Sequence, residues 1–299
     1  MQEIIVAQNF NNELVSQMPT QANSDDQLIF LWLKRLSQKT QEAYQRDVLD
    51  FRNFAQTDLR QMTLSILESY KDKLGQNLQP SSVSRKLAAI KSLFSFGAKI
   101  GYLQFDIGRV ITLPKYKNKI ADRFLPIEIV EKIIEAETDL QNKLFLKLSY
   151  YLGARVSEVV NLVWGDFHLG ANTCTVTLFG KGGKTRFVPL EIWLYNELLQ
   201  LKGDSGRQDR VFKMKSGKRF SENHGWRVCD RISDKLKEMG IDQKLSPHFF
   251  RHSNASHALA GGANLAIIQK SLGHASISTT SMYLHTNPED GSGLYLKRI

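Results

Sequence analysis

The chain has little cysteine: Cys174 and Cys229 are the two in 299 residues. Two distant thiols exclude a disulfide framework and a four-thiolate zinc site. Both read as core packers, Cys174 in an expected strand and Cys229 in an expected helix. No run of about 18 or more apolar residues occurs, so no membrane-spanning helix is expected. The N-terminal segment has neither the basic stretch nor the apolar stretch of a secretory leader, which points to the cytoplasm. Basic residues are also missing from residues 1–27, which hold four acids (Glu3, Glu13, Asp25, Asp26) and neither Lys nor Arg.

What is present elsewhere is positive charge. The whole chain carries +10 with a pI near 9.5, so removing the −4 of residues 1–27 leaves +14 on the remainder. Such an excess points to a polyanionic partner, of which nucleic acid is the commonest. With 42% hydrophobic residues the chain can bury a sizeable core, and its length suits about two domains.

Periodicity divides the chain into an arm, a helical domain, a linker and a mixed domain. Residues 1–27, rich in Gln and Asn, read as a mobile arm. Residues 28–112 read as four helices: "LIFLWLKRL", then "TQEAYQRDVLDFRNFA" with Thr40 as N-cap and Tyr44, Val48, Phe51 and Ala55 on one face, then "LSILESYKDKL". The fourth, "PSSVSRKLAAIKSLFSFGAKIGY", repeats Val83, Leu87, Ile90, Phe94 and Ala98 at helical spacing. Arg85, Lys86 and Lys91 flank its apolar stripe, as on a helix crossing a phosphate backbone; an ordinary solvated face would look the same. Residues 113–126, with two prolines and four basic residues, read as a basic linker. Residues 127–299 are mainly helical with a small antiparallel sheet, built from "TCTVTLFG", the glycine turn "KGGK" and "TRFVPL". The fold class is therefore mainly α with a small antiparallel β-sheet.

Four stretches of the second domain carry chemistry-bearing residues. In "SPHFFRH", Ser246 caps a helix with Pro247 in its first turn, and His248 and Arg251 lie three apart on one face. Such a pair can hold one anionic oxygen, although a surface His beside a salt-bridging Arg has the same spacing. His248 and His252 have zinc-ligand spacing, but Arg251 between them and the absence of a nearby acid argue against a metal. In "ANLAIIQKSLGHASISTTSMYLH", two short helices meet at Gly273, which taken alone suits a helix-turn-helix entering a major groove. In "GARVSE" and "GKGGKTR", Arg155 follows a glycine break with Glu158 one turn on to orient it, and Lys181 sits on a glycine-flanked turn.

The ordered set "GARVSE", "GKGGKTR", "SPHFFRH", "LGHASISTTSMY" resembles the tyrosine recombinase (phage integrase) family, at ordinary family spacing. Residues 28–112 are similar to that family's N-terminal core-binding domain, and the size is similar to Xer-type members. The resemblance implies a catalytic domain over 127–299 whose site holds Arg155, Lys181, His248, Arg251 and His274, with Tyr283 as nucleophile. It departs at Ala154, where Leu is usual, and in a C-terminal tail interrupted by Gly291 and Gly293. It also implies double-stranded DNA as partner, a homotetramer acting through a Holliday junction, possibly with a second recombinase, and no cofactor or metal.

These residue types suit the chemistry. A phosphodiester is anionic, so attack by a phenolate requires cations at the non-bridging oxygens, and guanidiniums match that geometry. His248 is the candidate acceptor of the phenol's proton, His274 a hydrogen-bond donor to the phosphate, and Lys181 the acid for the leaving 5′-oxygen. A covalent 3′-phosphotyrosine conserves the bond energy, so rejoining needs no ATP. A non-catalytic helix-turn-helix regulator is the alternative.

Overall fold

The computed structural model describes residues 21–115, 124–180, 183–214, 216–217, 219–281 and 283. The chain divides into two compact units, Met1–Asn118 and Lys119–Ile299.

The first unit is built on helices α1 (Asp25–Lys34), α2 (Gln38–Ala55), α3 (Leu64–Asn77) and α4 (Pro80–Lys99). Helix α1 begins three residues before the expected Leu28, because Ser24 Oγ accepts the Gln27 N–H and caps it there. Of the arm expected over residues 1–27, residues 1–20 lie outside the described residues, while Asp25 is tied into the unit. Asp25 is buried, and its carboxylate accepts the Leu59 N–H at 2.9 Å and the Tyr102 hydroxyl at 2.6 Å. Helix α2 is entered at Ser37 rather than Thr40, and the two hydroxyls are 2.8 Å apart within the first turn. The expected stripes converge: Val48 and Phe51 from α2 and Val83, Leu87, Ile90 and Phe94 from α4 are all buried. Each such side chain contributes about 1.5–3 kcal/mol of transfer free energy.

The three cations that the sequence singles out on α4 are all engaged within this unit, while Lys99 in its last turn is exposed. Arg85 forms a two-pronged ion pair with the buried Asp47 carboxylate, and Lys86 reaches Asp50 at 2.8 Å. Lys91 Nζ donates to the carbonyls of Gly108 at 2.7 Å and Ile111 at 2.5 Å, fastening the segment after α4 back onto the helix.

In the second unit, α5 (Ile127–Ala136) and α6 (Leu140–Tyr151) lead into a one-turn helix α7 (Val156–Val159). The helical theme expected across "RVSEVVNL" stops there, and the chain turns into a three-stranded antiparallel sheet. Its strands are β1 (Phe167–Leu169), β2 (Thr173–Phe179) and β3 (Thr185–Glu191), in the order β1-β2-β3. The β2–β3 hairpin is the expected one, in register with Val176 opposite Val188; β1 was not expected. Val176, Leu178, Val188 and Leu190 face the core, while Phe179 and Phe187 face out. Helices α8 (Ile192–Leu198), α9 (Glu222–Glu238), α10 (Pro247–Ala260), α11 (Leu265–Leu272) and α12 (Ile277–Thr280) follow. Cys174 on β2 and Cys229 on α9 are fully buried. Of the linker expected over 113–126, residues 116–123 lie outside the described residues. Leu125 belongs to this unit's packing: it is buried, and its N–H donates to Ser253 Oγ on α10. Among the described residues no helix is long and apolar enough to cross a membrane.

Candidate active site

The site begins at a glycine. Gly153 has φ +55°, and a Cβ there would lie 2.5 Å from Asn254 Oδ1, so another residue would be strained in backbone and would have to displace the Asn254 side chain. This turn ends α6 and presents Arg155 as the residue entering α7. Glu158, one turn on, accepts the Arg155 backbone N–H at 2.8 Å through Oε2 and the Arg155 guanidinium at 2.9 Å through Oε1. The orienting role expected of Glu158 toward Arg155 thus has a definite geometry.

Arg186 on β3 completes the clasp and was not singled out by the sequence. Its guanidinium meets Glu158 through two parallel bonds of 2.8 and 2.7 Å, while its Nε donates to Ser271 O at 2.6 Å. One buried carboxylate therefore organises two guanidiniums and ties the sheet to the end of α11. Burial opposes ionisation of Glu158, but the Arg186 and Arg155 hydrogen bonds outweigh it and hold its pKa below the usual carboxylate value.

Arg251 enters from α10. It is 5% exposed, and its two terminal nitrogens donate to Gly153 O and Leu272 O, each at 2.7 Å. Desolvation, joined by repulsion from Arg155, pushes its pKa down to about 10, still charged at neutral pH. The same α11 terminus, turned at Gly273 (φ +68°), sets His274 in place. His274 Nδ1 is 3.0 Å from Thr280 Oγ1. Burial and the charges of Arg251, Arg155 and Arg186 push its pKa down to about 4, so at neutral pH it is uncharged. In the tautomer in which Nδ1 accepts from Thr280, the ring proton is on Nε2 and available to an oxyanion.

Arg155, Arg186, Gly273 and His274 line a cleft of about 500 Å³ together with Lys184 and Lys270. No carboxylate side chain lines it among the described residues. The hairpin turn residue Lys181 lies outside the described residues.

Tyr283 follows α12 and is 2% exposed, packed with Ala255, Ile268 and Leu272. Burial raises its phenol pKa, and the positive charge of Arg251 works the other way. Its hydroxyl is 2.7 Å from Nδ1 of His252, a residue that sequence reasoning considered only as a metal ligand. His248, one turn earlier on α10, is exposed and meets Trp226 edge-on at 6.2 Å between ring centroids. The structure thus brings Arg155, Glu158, Arg251, His274 and Tyr283 into one neighbourhood, with Arg186 and His252 added. The helix-turn-helix alternative loses its recognition element, since α12 is a single turn with Thr280 buried.

A cleft lined by cations suits an anionic phosphate, and the buried phenol of Tyr283 lies within electrostatic reach of Arg251; comparison with known proteins gives the class. The phage integrase family model matches residues 123–290, and the family's N-terminal SAM-like domain matches residues 27–99. The tyrosine recombinase XerC of Natranaerobius thermophilus is 33% identical, over 88% of this chain and 93% of that protein. The chain belongs to the phage integrase family, the tyrosine recombinases. Among solved structures, XerH bound to difH substrate in a pre-cleavage complex shares the fold with a TM-score of 0.70 at 22% identity, covering 92% of this chain and 84% of that one. A λ integrase tetramer bound to a Holliday junction matches with a TM-score of 0.68 at 16% identity, over 92% and 87% of the two chains.

Proposed function

We propose that this chain is a site-specific DNA recombinase in which Tyr283 attacks a backbone phosphate, forming a 3′-phosphotyrosyl linkage and releasing a 5′-hydroxyl. The observation that carries this reading is the buried Tyr283 hydroxyl within electrostatic reach of Arg251, beside a cleft lined by Arg155 and His274. In this reading Arg155 and Arg251 neutralise the non-bridging oxygens as charge builds there, and neutral His274 donates from Nε2. Arg251 already spends donors on two carbonyls, which fixes its plane before DNA arrives. His248 contacts the phosphate from the exposed start of α10, and Lys181 protonates the leaving 5′-oxygen.

Tyr283 packs in its own chain's core, which supports cleavage in cis. A homotetramer on a Holliday junction, the state in which the λ integrase neighbour was solved, is the assembly we assign, acting on DNA in the cytoplasm. Of Arg85, Lys86 and Lys91, Arg85 keeps half its side chain exposed and is the best placed to share its charge with a phosphate. Lys91 is the least suited, being bound to backbone carbonyls.

The test is a two-step experiment: selection of the DNA site from a randomised duplex pool, then incubation with that duplex nicked beside the scissile phosphate. Covalent protein–DNA adduct that disappears in Tyr283→Phe is the expected result. Salt-sensitive binding to the selected site without adduct would overturn the reading in favour of a regulator.

A further inference from the structure

The phenol that must lose a proton is 2.7 Å from an imidazole nitrogen, and that imidazole is not the one the H-x-x-R pattern offers. His252 follows Arg251 directly on α10, one turn beyond His248. Its ring and that of Tyr283 lie 5.8 Å apart between centroids, inclined by 48°. The Tyr283 ring is wedged among Ala255, Ile268 and Leu272, so the hydroxyl's direction is fixed by packing on one side and by the imidazole on the other.

Resting on the recombinase reading above, we propose that His252 is a catalytic residue: it accepts the phenolic proton of Tyr283 through Nδ1 as the tyrosine attacks the phosphate. Three features lead there. The separation lies within the range of about 2.6–3.2 Å required of a general base and the proton it abstracts. The phenol is buried, an environment in which it stays protonated until something removes the proton at the moment of attack. The adjoining Arg251 stabilises the developing phenolate without itself being able to accept a proton. His248, exposed and set against Trp226, is then left to the phosphate rather than to the phenol.

The step balances. The bond from Tyr283 Oη to phosphorus forms as the bond from phosphorus to the 5′-oxygen breaks. The phenolic proton moves to His252 Nδ1, and the leaving oxygen takes a separate proton from the general acid, Lys181. On rejoining, the incoming 5′-hydroxyl gives its proton to the deprotonated Lys181 as it attacks phosphorus and displaces the phenol, and His252 returns its proton to the departing oxygen. The charged groups around the pair are Arg251 on the same helix and, acting on Arg251, Arg155, Glu158 and Arg186 from α7 and β3.

His252→Asn tests this, because an asparagine oxygen can occupy the place of Nδ1 and hold the hydroxyl but takes up no proton near neutrality. Two nicked duplexes bearing the selected site are used, one natural and one with sulfur in place of the bridging 5′-oxygen, a leaving group that needs no acid. The variant is expected to melt and bind the site like the parent, while adduct formation slows by about 10²–10⁴-fold. That loss persists on the sulfur duplex, on which Lys181→Ala recovers. Installing a fluorinated tyrosine of lower phenol pKa at position 283 recovers much of the rate in His252→Asn. A parental rate in the variant, recovery on the sulfur duplex, or no gain from the fluorinated tyrosine would each overturn the assignment. Absence of adduct with the parent protein would instead overturn the recombinase reading beneath it.

Discussion

The basic residues of α4 and those of the catalytic cleft look alike in sequence and have opposite surroundings. Arg85 and Lys86 face Asp47 and Asp50, and Lys91 is held by backbone carbonyls, so that the charge there is matched within the unit. The cleft is lined by Arg155, Lys184, Arg186 and Lys270 with the neutral His274; Arg155 and Arg186 pair with the buried Glu158, and no carboxylate side chain lines the cleft among the described residues. Unmatched cations converging on a cavity await an anion, whereas matched ones fasten a fold. The difference separates structural from functional charge where counting Lys and Arg cannot.

The largest effect expected on this contrast is from Arg251→Ala. Loss of an oxyanion donor lowers adduct formation by about 10²–10³-fold. The orphaned carbonyls of Gly153 and Leu272 add about 1–3 kcal/mol of destabilisation each, read by thermal melting. Near-parental cleavage would remove the cleft from the chemistry.

Next is Glu158→Gln, which keeps the shape and removes the charge that pairs Arg186 with Arg155. Breaking a buried ion pair costs up to about 3–5 kcal/mol, measurable by urea unfolding. An unchanged unfolding midpoint would mean that the clasp does not organise the site.

A third comparison sets Lys91→Met against Lys184→Gln and Lys270→Gln. Each cleft lysine that contacts a phosphate lowers the slope of log K against log salt by about 1 when removed. Lys91→Met leaves that slope alone and lowers the melting temperature of its own unit. The reverse pattern would invert the assignment of structural and functional charge.

The smallest effect concerns pH. His274 titrates at about 4 in the folded chain against an ordinary 6.5, so the unfolded chain takes up the proton first as pH falls. Stability therefore declines as pH drops from about 6.5 toward about 4 and levels off below, and His274→Gln flattens that slope in unfolding curves recorded across the range.

Much of this was legible in the residues. The stripes of α2 and α4 and the β2–β3 hairpin follow from periodicity, and Ser246, Pro247 and Gly261 bracket α10 where expected, although the Ser246 side chain makes no capping hydrogen bond. The order of the four motifs pointed to Arg155, Arg251, His274 and Tyr283 together. Arg186 escaped because an alternating strand gives one arginine no distinction: its significance lies in a carboxylate 28 residues earlier and a carbonyl 85 residues later. His252 escaped because the H-x-x-R spacing drew the proton-accepting role to His248. Strand β1 escaped because three residues carry too little periodicity to be seen.

The linear sequence by itself determined the main helices, the β2–β3 hairpin and the four motifs that carry Arg155, Arg251, His274 and Tyr283, because backbone preference and hydrophobic spacing are local. Only the tertiary structure decided which cations are already neutralised and which imidazole meets the phenol. Those are distances between residues far apart along the chain, fixed by how α10, α11 and β3 pack, and electrostatic and hydrogen-bond energies depend on distance and burial rather than on residue order.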